Sequence, residues 1–262
     1  MKRHALGFTL TEIAVVLVVV GLLMGGMMMT VTMQIDQRRR NETQQTIEMA
    51  RDALLGYAIA NGRLPCPARV VIVSGLDTLT GVEQLSSGTS ATGGPCTAPY
   101  YGFYPAVTVG LAGTDSSGYL LDAWGHRIRY AVTTANSSAF TTNGQIKAGL
   151  AAQTLTPDLQ VCSSSAGIAN GVSIPCSAGN GLTTATGGAA AVILSLGANA
   201  GSGGTSADEI RNAKTATSYN DRGFVYHTPV PSGGTPNMEF DDLVTWLSPN
   251  VLYNRLIAAG AI

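Results

Sequence analysis

Few residues in this chain have the types and spacing that catalysis requires. Each motif G-x-S-x-G, H-E-x-x-H, P-loop and G-x-G-x-x-G holds a nucleophile, metal or phosphate in fixed geometry; none of them occurs. His126 stands beside Trp124, and His227 falls in an expected strand over Gly223–Tyr226. Both read as structural or surface residues rather than bases. Cys66, Cys96, Cys162 and Cys176 could in principle bind zinc, but no C-x-x-C pair is present. The carboxylate pairs Asp208-Glu209 and Asp241-Asp242 lack the D-x-D spacing of a calcium loop and read as charges at helix starts. No enzyme activity, metal or cofactor is expected.

One carboxylate is harder to place. Glu12 stands at the mouth of an apolar run, Ile13 to Met29 and more loosely to Met33, that carries no other charge. An unpaired carboxylate at the bilayer centre costs roughly 2.5–3.5 kcal/mol. A short basic stretch, Lys2-Arg3-His4, precedes the run, and about twenty apolar residues suffice to span a membrane. A secretory signal peptide would end in a small-x-small site. Here the run ends in MMMTVTMQID, so the segment reads as retained.

The stretch Gly7-Phe8-Thr9-Leu10-Thr11-Glu12, behind a basic leader and ahead of an apolar helix, resembles the cleavage and assembly signal of type IV pilins and type II secretion pseudopilins. The resemblance implies that a prepilin peptidase cuts between Gly7 and Phe8 and that Phe8 becomes the N-methylated first residue. It also implies an inner-membrane assembly platform and other pilins or pseudopilins as partners. The location it implies is the bacterial inner membrane, single-pass with a periplasmic head, and later a fibre. It gives Glu12 an assembly role. A carboxylate four residues from a new α-amino cation can pair with that cation on a neighbouring subunit, and a buried charge without its pair is penalised. Arg38-Arg39-Arg40 then lies on the periplasmic side, against the positive-inside tendency, with Asp36 and Glu42 offsetting part of it.

The elements that would position these groups follow from periodicity. With 262 residues the chain has room for one medium domain or two small ones. Ile47, Ala50 or Arg51, Leu54 and Ala58 recur at helical spacing, widened by Leu55 and Ile59, until Asn61-Gly62 and Leu64-Pro65 stop the helix. The expected organisation is a leader over 1–7, a transmembrane and assembly helix over 8–33, its amphipathic continuation over 34–62, and a head over 63–262. The fold class is α+β, with the long N-terminal helix packed on an antiparallel β-sheet head with long loops. Strands are expected over Arg69–Val73, Arg127–Thr133, Ala189–Leu196 and Gly223–Tyr226. Residues 74–99 and 134–188 read as loops, Phe240–Leu247 as a short helix, and Ser248-Pro249 as the opening of a last helix over Asn250–Ala259.

Asp122-Ala123-Trp124-Gly125, running into Arg127-Ile128-Arg129-Tyr130, is similar to the Asp-Pro-Trp-Gly turn of pseudopilin heads. Its ingredients are an Asp to open the turn, a Trp to bury and a Gly for positive φ. Ala123 replaces the usual Pro, which predicts a less rigid turn. On the oxidising side of the membrane four cysteines persist as disulfides in one of three pairings. The pattern Cys66–Cys96 and Cys162–Cys176 is favoured, because each bond closes a slack Gly/Ser-rich loop.

Two functions are compatible with these features. One is a structural fibre subunit, a minor pilin or pseudopilin. The other is a pilin-like adhesin or binding module whose head loops meet a surface, DNA or a secreted substrate. A net charge of −1 and the lack of basic patches interleaved with aromatics argue against a nucleic-acid partner.

Overall fold

The computed structural model describes residues 9–68, 81–166, 176, 188–214, 221–230 and 239–261, with the side chains of 23–32 left aside. The chain divides into two compact units, Met1–Asn41 and Glu42–Ile262. One helix, α1 (Leu10–Asn61), contributes to both.

In the first unit α1 starts with a reciprocal cap. The Thr9 amide donates to Oε2 of Glu12 at 2.9 Å, and the Glu12 amide donates to the Thr9 hydroxyl at 3.3 Å. Two of the amide groups that a helix start leaves orphaned are thereby satisfied. Leu10, Val15, Leu17 and Leu22 are exposed. Among the described residues, no helix is long and apolar enough to cross a membrane.

In the second unit α1 carries the expected stripe. Ile47, Ala50, Leu54 and Ala58 have no exposed surface, and Leu55 is buried beside them. The helix stops where Gly62 turns to φ +65° and its amide closes on the Ala58 oxygen at 2.8 Å, a conformation that costs a glycine little. The other described strands and α-helices, in chain order, are β1 (Gly102–Phe103), α2 (Ala106–Val109), β2 (Arg129–Val132), α3 (Ala135–Ser138), α4 (Gln145–Ala151), β3 (Gln160–Cys162), β4 (Ala191–Ser195), α5 (Ala207–Ala213), β5 (Gly223–Val225), β6 (Leu243–Leu247) and α6 (Pro249–Ala258).

The main sheet runs β1-β2-β4-β6, antiparallel throughout, with Tyr130 opposite Ile193 and Val192 opposite Trp246. Both faces are covered. On one face Tyr130, Val132, Ile193 and Leu247 join the α1 stripe and Leu252 and Leu256 of α6 in a single core. On the other, Ala131, Val192, Leu194 and Val244 meet Tyr100, Leu159, Val161 and Phe224. This two-sided burial explains why every residue of β4 is buried.

Several expectations need correction. The segment over Phe240–Leu247 is not a helix: its second half is the edge strand β6. Val244 and Trp246 point to one core while Leu243 and Leu247 point to the other, an alternation that only a strand provides. Residues 134–166 are not simply loop. They hold α4, β3 and the α3 turn, in which Asn136, Ser137 and Ser138 are all left-handed at φ 56°, 57° and 62°. Such residues cost roughly 1–2 kcal/mol each. The Asn136 side chain clamps the turn, donating to the Thr154 oxygen at 2.6 Å and accepting from the Thr156 amide at 3.0 Å. A second, two-stranded sheet pairs β3 with β5 in parallel. The strand expected over Arg69–Val73 lies outside the described residues.

At the helix exit a buried ion pair ties distant segments. Arg63 forks onto Glu83 with Nη1–Oε2 at 2.8 Å and Nη2–Oε1 at 2.6 Å, and both side chains are almost wholly buried. Arg63 also donates to the oxygens of Leu64 and Ser90, while Glu83 accepts from the Cys66 amide at 3.1 Å. The disulfides Cys66–Cys96 and Cys162–Cys176 are both formed, closing loops of 30 and 14 residues. Loops of that size stabilise by about 3 kcal/mol each in the chain-entropy account.

The α1 stripe gives a direct stability test. Leu54→Ala empties a fully enclosed site and is expected to cost about 2–5 kcal/mol. Exposed Met49→Ala should cost less than about 0.5 kcal/mol. Urea unfolding of the full chain compares the two.

Candidate functional site

The Asp122 turn is built as the sequence implies in two of its three parts. Gly125 is left-handed at φ +82°, and Oδ1 of Asp122 accepts the amides of Trp124 at 2.9 Å and His126 at 2.8 Å. Its second oxygen accepts the Ser195 hydroxyl at 2.6 Å, tying the turn to β4. Trp124 is only half-buried, so the anchor of the corner is the buried Asp122 carboxylate and not the aromatic ring. The Ala123 position, where the resemblance has Pro, makes a contact of its own. The Ala123 amide donates to the hydroxyl of fully buried Thr43 on α1 at 3.0 Å, a bond that proline, lacking an N–H, cannot make. His126 has a structural contact, its Nδ1 lying 2.9 Å from the Gly197 oxygen.

The second constellation was not legible as a unit. Glu209 from α5 and Asp241 and Asp242 from the start of the β6 segment each place a carboxylate oxygen within 4.8 Å of the others, and all three are buried. The pairs that looked alike in sequence are split. Asp208 faces elsewhere, and the Asp241-Asp242 pair introduces a strand rather than a helix.

Each carboxylate is held by specific donors. Ser206 caps α5 in a reciprocal box with Glu209, whose Oε2 also accepts the Thr205 amide at 2.8 Å and the Asn199 amide group at 3.0 Å. The Asp241 amide donates to the other oxygen of Glu209. Asp241 Oδ2 accepts the Ala198 amide at 2.7 Å. Gly197, at φ +63°, makes room for Asp241, because a Cβ there would sit 2.2 Å from its Oδ1. Asp242 Oδ2 accepts from Asn212 at 2.8 Å, while Asp242 Oδ1 is buried with no hydrogen-bond partner among the described residues.

These environments push the carboxyls apart. Burial acts to raise Glu209, but its hydrogen bonds from Thr205, Asn199, Ser206 and Asp241 outweigh it and hold the group below its usual range. Burial drives Asp242 well above the usual carboxylate range, with the Glu209 and Asp241 charges adding to the rise against the Asn212 bond. Three carboxylates this close in a dry site cannot all ionise without a compensating positive charge. A proton on Asp242 meets that limit, and a hard divalent cation with oxygen ligands, such as Ca²⁺, would meet it too.

Among the other sequence-derived sites, Gly7 and Phe8 lie outside the described residues. Glu12 is engaged with Thr9 of its own chain. The four cysteines are paired with each other, at the buried exit of α1 and beside β3. No protein-family model, curated protein or solved structure matches this chain.

The sign of the pH response follows from Asp242. A carboxyl raised in the fold binds its proton more tightly there than in the unfolded chain, so without a cation its contribution to stability falls as pH rises above the ordinary carboxylate value. A divalent cation competes with that proton. Millimolar Ca²⁺ should raise Tm by several degrees near pH 8 and by less near pH 5, and Asp242→Asn should abolish both the cation shift and this part of the pH dependence. If Ca²⁺ leaves the melting curve unchanged near pH 8, the cluster holds only a proton. Separately, Ala123→Pro should cost about 1 kcal/mol in chemical unfolding through loss of the Thr43 bond, despite restoring the more familiar turn residue.

Proposed function

We propose that this chain is a structural subunit, and by the size of its loop-rich head a minor one, of a type IV pilus or a type II secretion pseudopilus. The observation that carries the reading is the Gly7-Phe8-Thr9-Leu10-Thr11-Glu12 signal at the start of a helix whose later half is built into an α+β head. In this reading residues 8–33 form the membrane and assembly segment of a single-pass inner-membrane protein with a periplasmic head. Prepilin peptidase removes residues 1–7, Phe8 is methylated, and the assembly platform draws the subunit into a fibre beside other pilins or pseudopilins. The two disulfides suit an oxidising compartment.

Glu12 then has two successive partners. In the lone chain its carboxylate caps α1 through Thr9. In the fibre it pairs with the α-amino group of Phe8 on a neighbour, and the register that forms this pair is favoured because a buried unpaired charge costs about 3–5 kcal/mol.

Substitutions separate cap from charge. Gly7→Leu should leave the precursor uncut, with Met1 retained by intact mass. Glu12→Ala should be inserted, cleaved and folded, yet largely absent from sheared fibres, with Glu12→Asp intermediate. Glu12→Gln keeps an acceptor for Thr9 but removes the charge. Gln-variant incorporation at the wild-type level would reduce Glu12 to a cap, and equal incorporation of Glu12→Ala would remove the fibre role altogether.

A further inference from the structure

His227 follows β5, and its imidazole lies over the ring of Phe240 with centroids 3.9 Å apart. Its Nδ1 is 2.9 Å from the backbone oxygen of Thr228, and its Nε2 is 3.2 Å from Oδ2 of Asp208 on α5. Both neighbours are acceptors. A carbonyl oxygen carries no proton, and neither does an ionised carboxylate. Neutral imidazole has a single N–H, so one of the two contacts would set lone pair against lone pair. Only the imidazolium form donates to both.

Asp208 carries the effect further. Its Oδ1 accepts the Ser165 amide at 2.6 Å and the Ser164 hydroxyl at 3.3 Å. These serines follow directly on Cys162, one end of the Cys162–Cys176 bond. Together His227, Asp208 and Ser163–Ser165 wall a cavity of about 450 Å³, which Ser206 and Glu239 also line. Among the described residues, the charged groups facing this cavity and His227 are Asp208 from α5 and Glu239 from the segment entering β6. Both are acidic. The β3 side contributes serines and a disulfide, which do not titrate near neutrality.

We propose that His227 is a proton-operated latch. As imidazolium it fastens the segment after β5 to Asp208 and, through Asp208, holds the Ser164-Ser165 segment against the cavity. When Nε2 gives its proton to water, the contact with Asp208 becomes repulsive and that wall is released. The latch holds while both ring nitrogens carry protons and is lost when one proton leaves. The inference rests on the head alone and is independent of the fibre reading.

The test uses the full chain in detergent micelles, with histidine ring ¹⁵N shifts and amide exchange at Ser165 followed from about pH 5 to about pH 8.5. At the acidic end both His227 ring nitrogens should carry protons. As one proton leaves, Ser165 protection, corrected for intrinsic exchange, should fall roughly threefold to tenfold. In His227→Gln the protection should be low and flat with pH. The proposal is overturned by a singly protonated ring at the acidic end, by Ser165 protection that does not change as the ring titrates, or by pH dependence that survives in His227→Gln. The wild-type titration decides the matter even if the variant does not fold.

Discussion

Where α1 ends, a guanidinium and a carboxylate meet out of contact with water. Taking Arg63 and Glu83 from solvent costs several kcal/mol per ion, and only a forked geometry with every remaining group occupied offsets that cost. The protein meets most of this condition with the Leu64 and Ser90 oxygens on one side and the Cys66 amide on the other, leaving Arg63 Nε without a hydrogen-bond partner among the described residues. The pair therefore constrains more than its own contact. It fixes the direction in which the chain leaves the helix, brings the 81–97 segment back across that exit, and sets Cys66 where Cys96 can reach it. From Cys66 the chain runs to Ala68, which bridges Phe103 and starts the edge of the main sheet.

The same economy governs charge elsewhere. Only 12% of the residues are charged. Yet Arg63, Glu83, Glu209, Arg211, Lys214, Asp221, Asp241 and Asp242 are all buried, so the head uses charged groups as internal braces while Ser, Thr, Asn and Gly make up much of its exposed loops. Lys214 illustrates the cost. Burial lowers its ammonium to about 8, against the attraction of Asp221, while Nζ donates to the Gly223 oxygen at 2.7 Å. Arg211 reaches the same Asp221 at 2.5 Å, tying the end of α5 to the start of β5. This bracing fits a head with many long connections, where apolar contacts alone leave segments unanchored.

What the sequence disclosed was what local patterning encodes. The Ile47–Ala58 stripe, the Asn61-Gly62 stop, the apolar β4 and the Ser248-Pro249 opening of α6 each depend on neighbours a few residues away. The cysteine pairing was also legible, because the two short loops were the slackest to close. The misreadings share the opposite property. Residues 243–247 are strand because β4 offers a fully buried partner fifty residues earlier, and propensity alone did not outweigh the acidic, helix-start look of Asp241-Asp242. The Glu209, Asp241 and Asp242 cluster joins segments about thirty residues apart, and the Thr43–Ala123 bond joins segments about eighty apart; no spacing rule announces either. The Thr9–Glu12 cap is different. Its T-x-x-E pattern is as local as the helix stop, lying within four residues of the sequence.

One feature of the core bears on how the protein is made. The buried stripe of α1 is synthesised before any of the surfaces that cover it. Sheet residues Tyr130, Ile193 and Leu247 arrive much later, and Leu252 and Leu256 close the same core later still. Until then an apolar face stands uncovered next to an even more apolar run. Contacts of such long sequence separation form slowly because loop closure precedes any gain from burial. Biosynthesis therefore includes an interval in which the helix that organises the head also presents an aggregation-prone surface, and anything that covers that surface during the interval acts on folding.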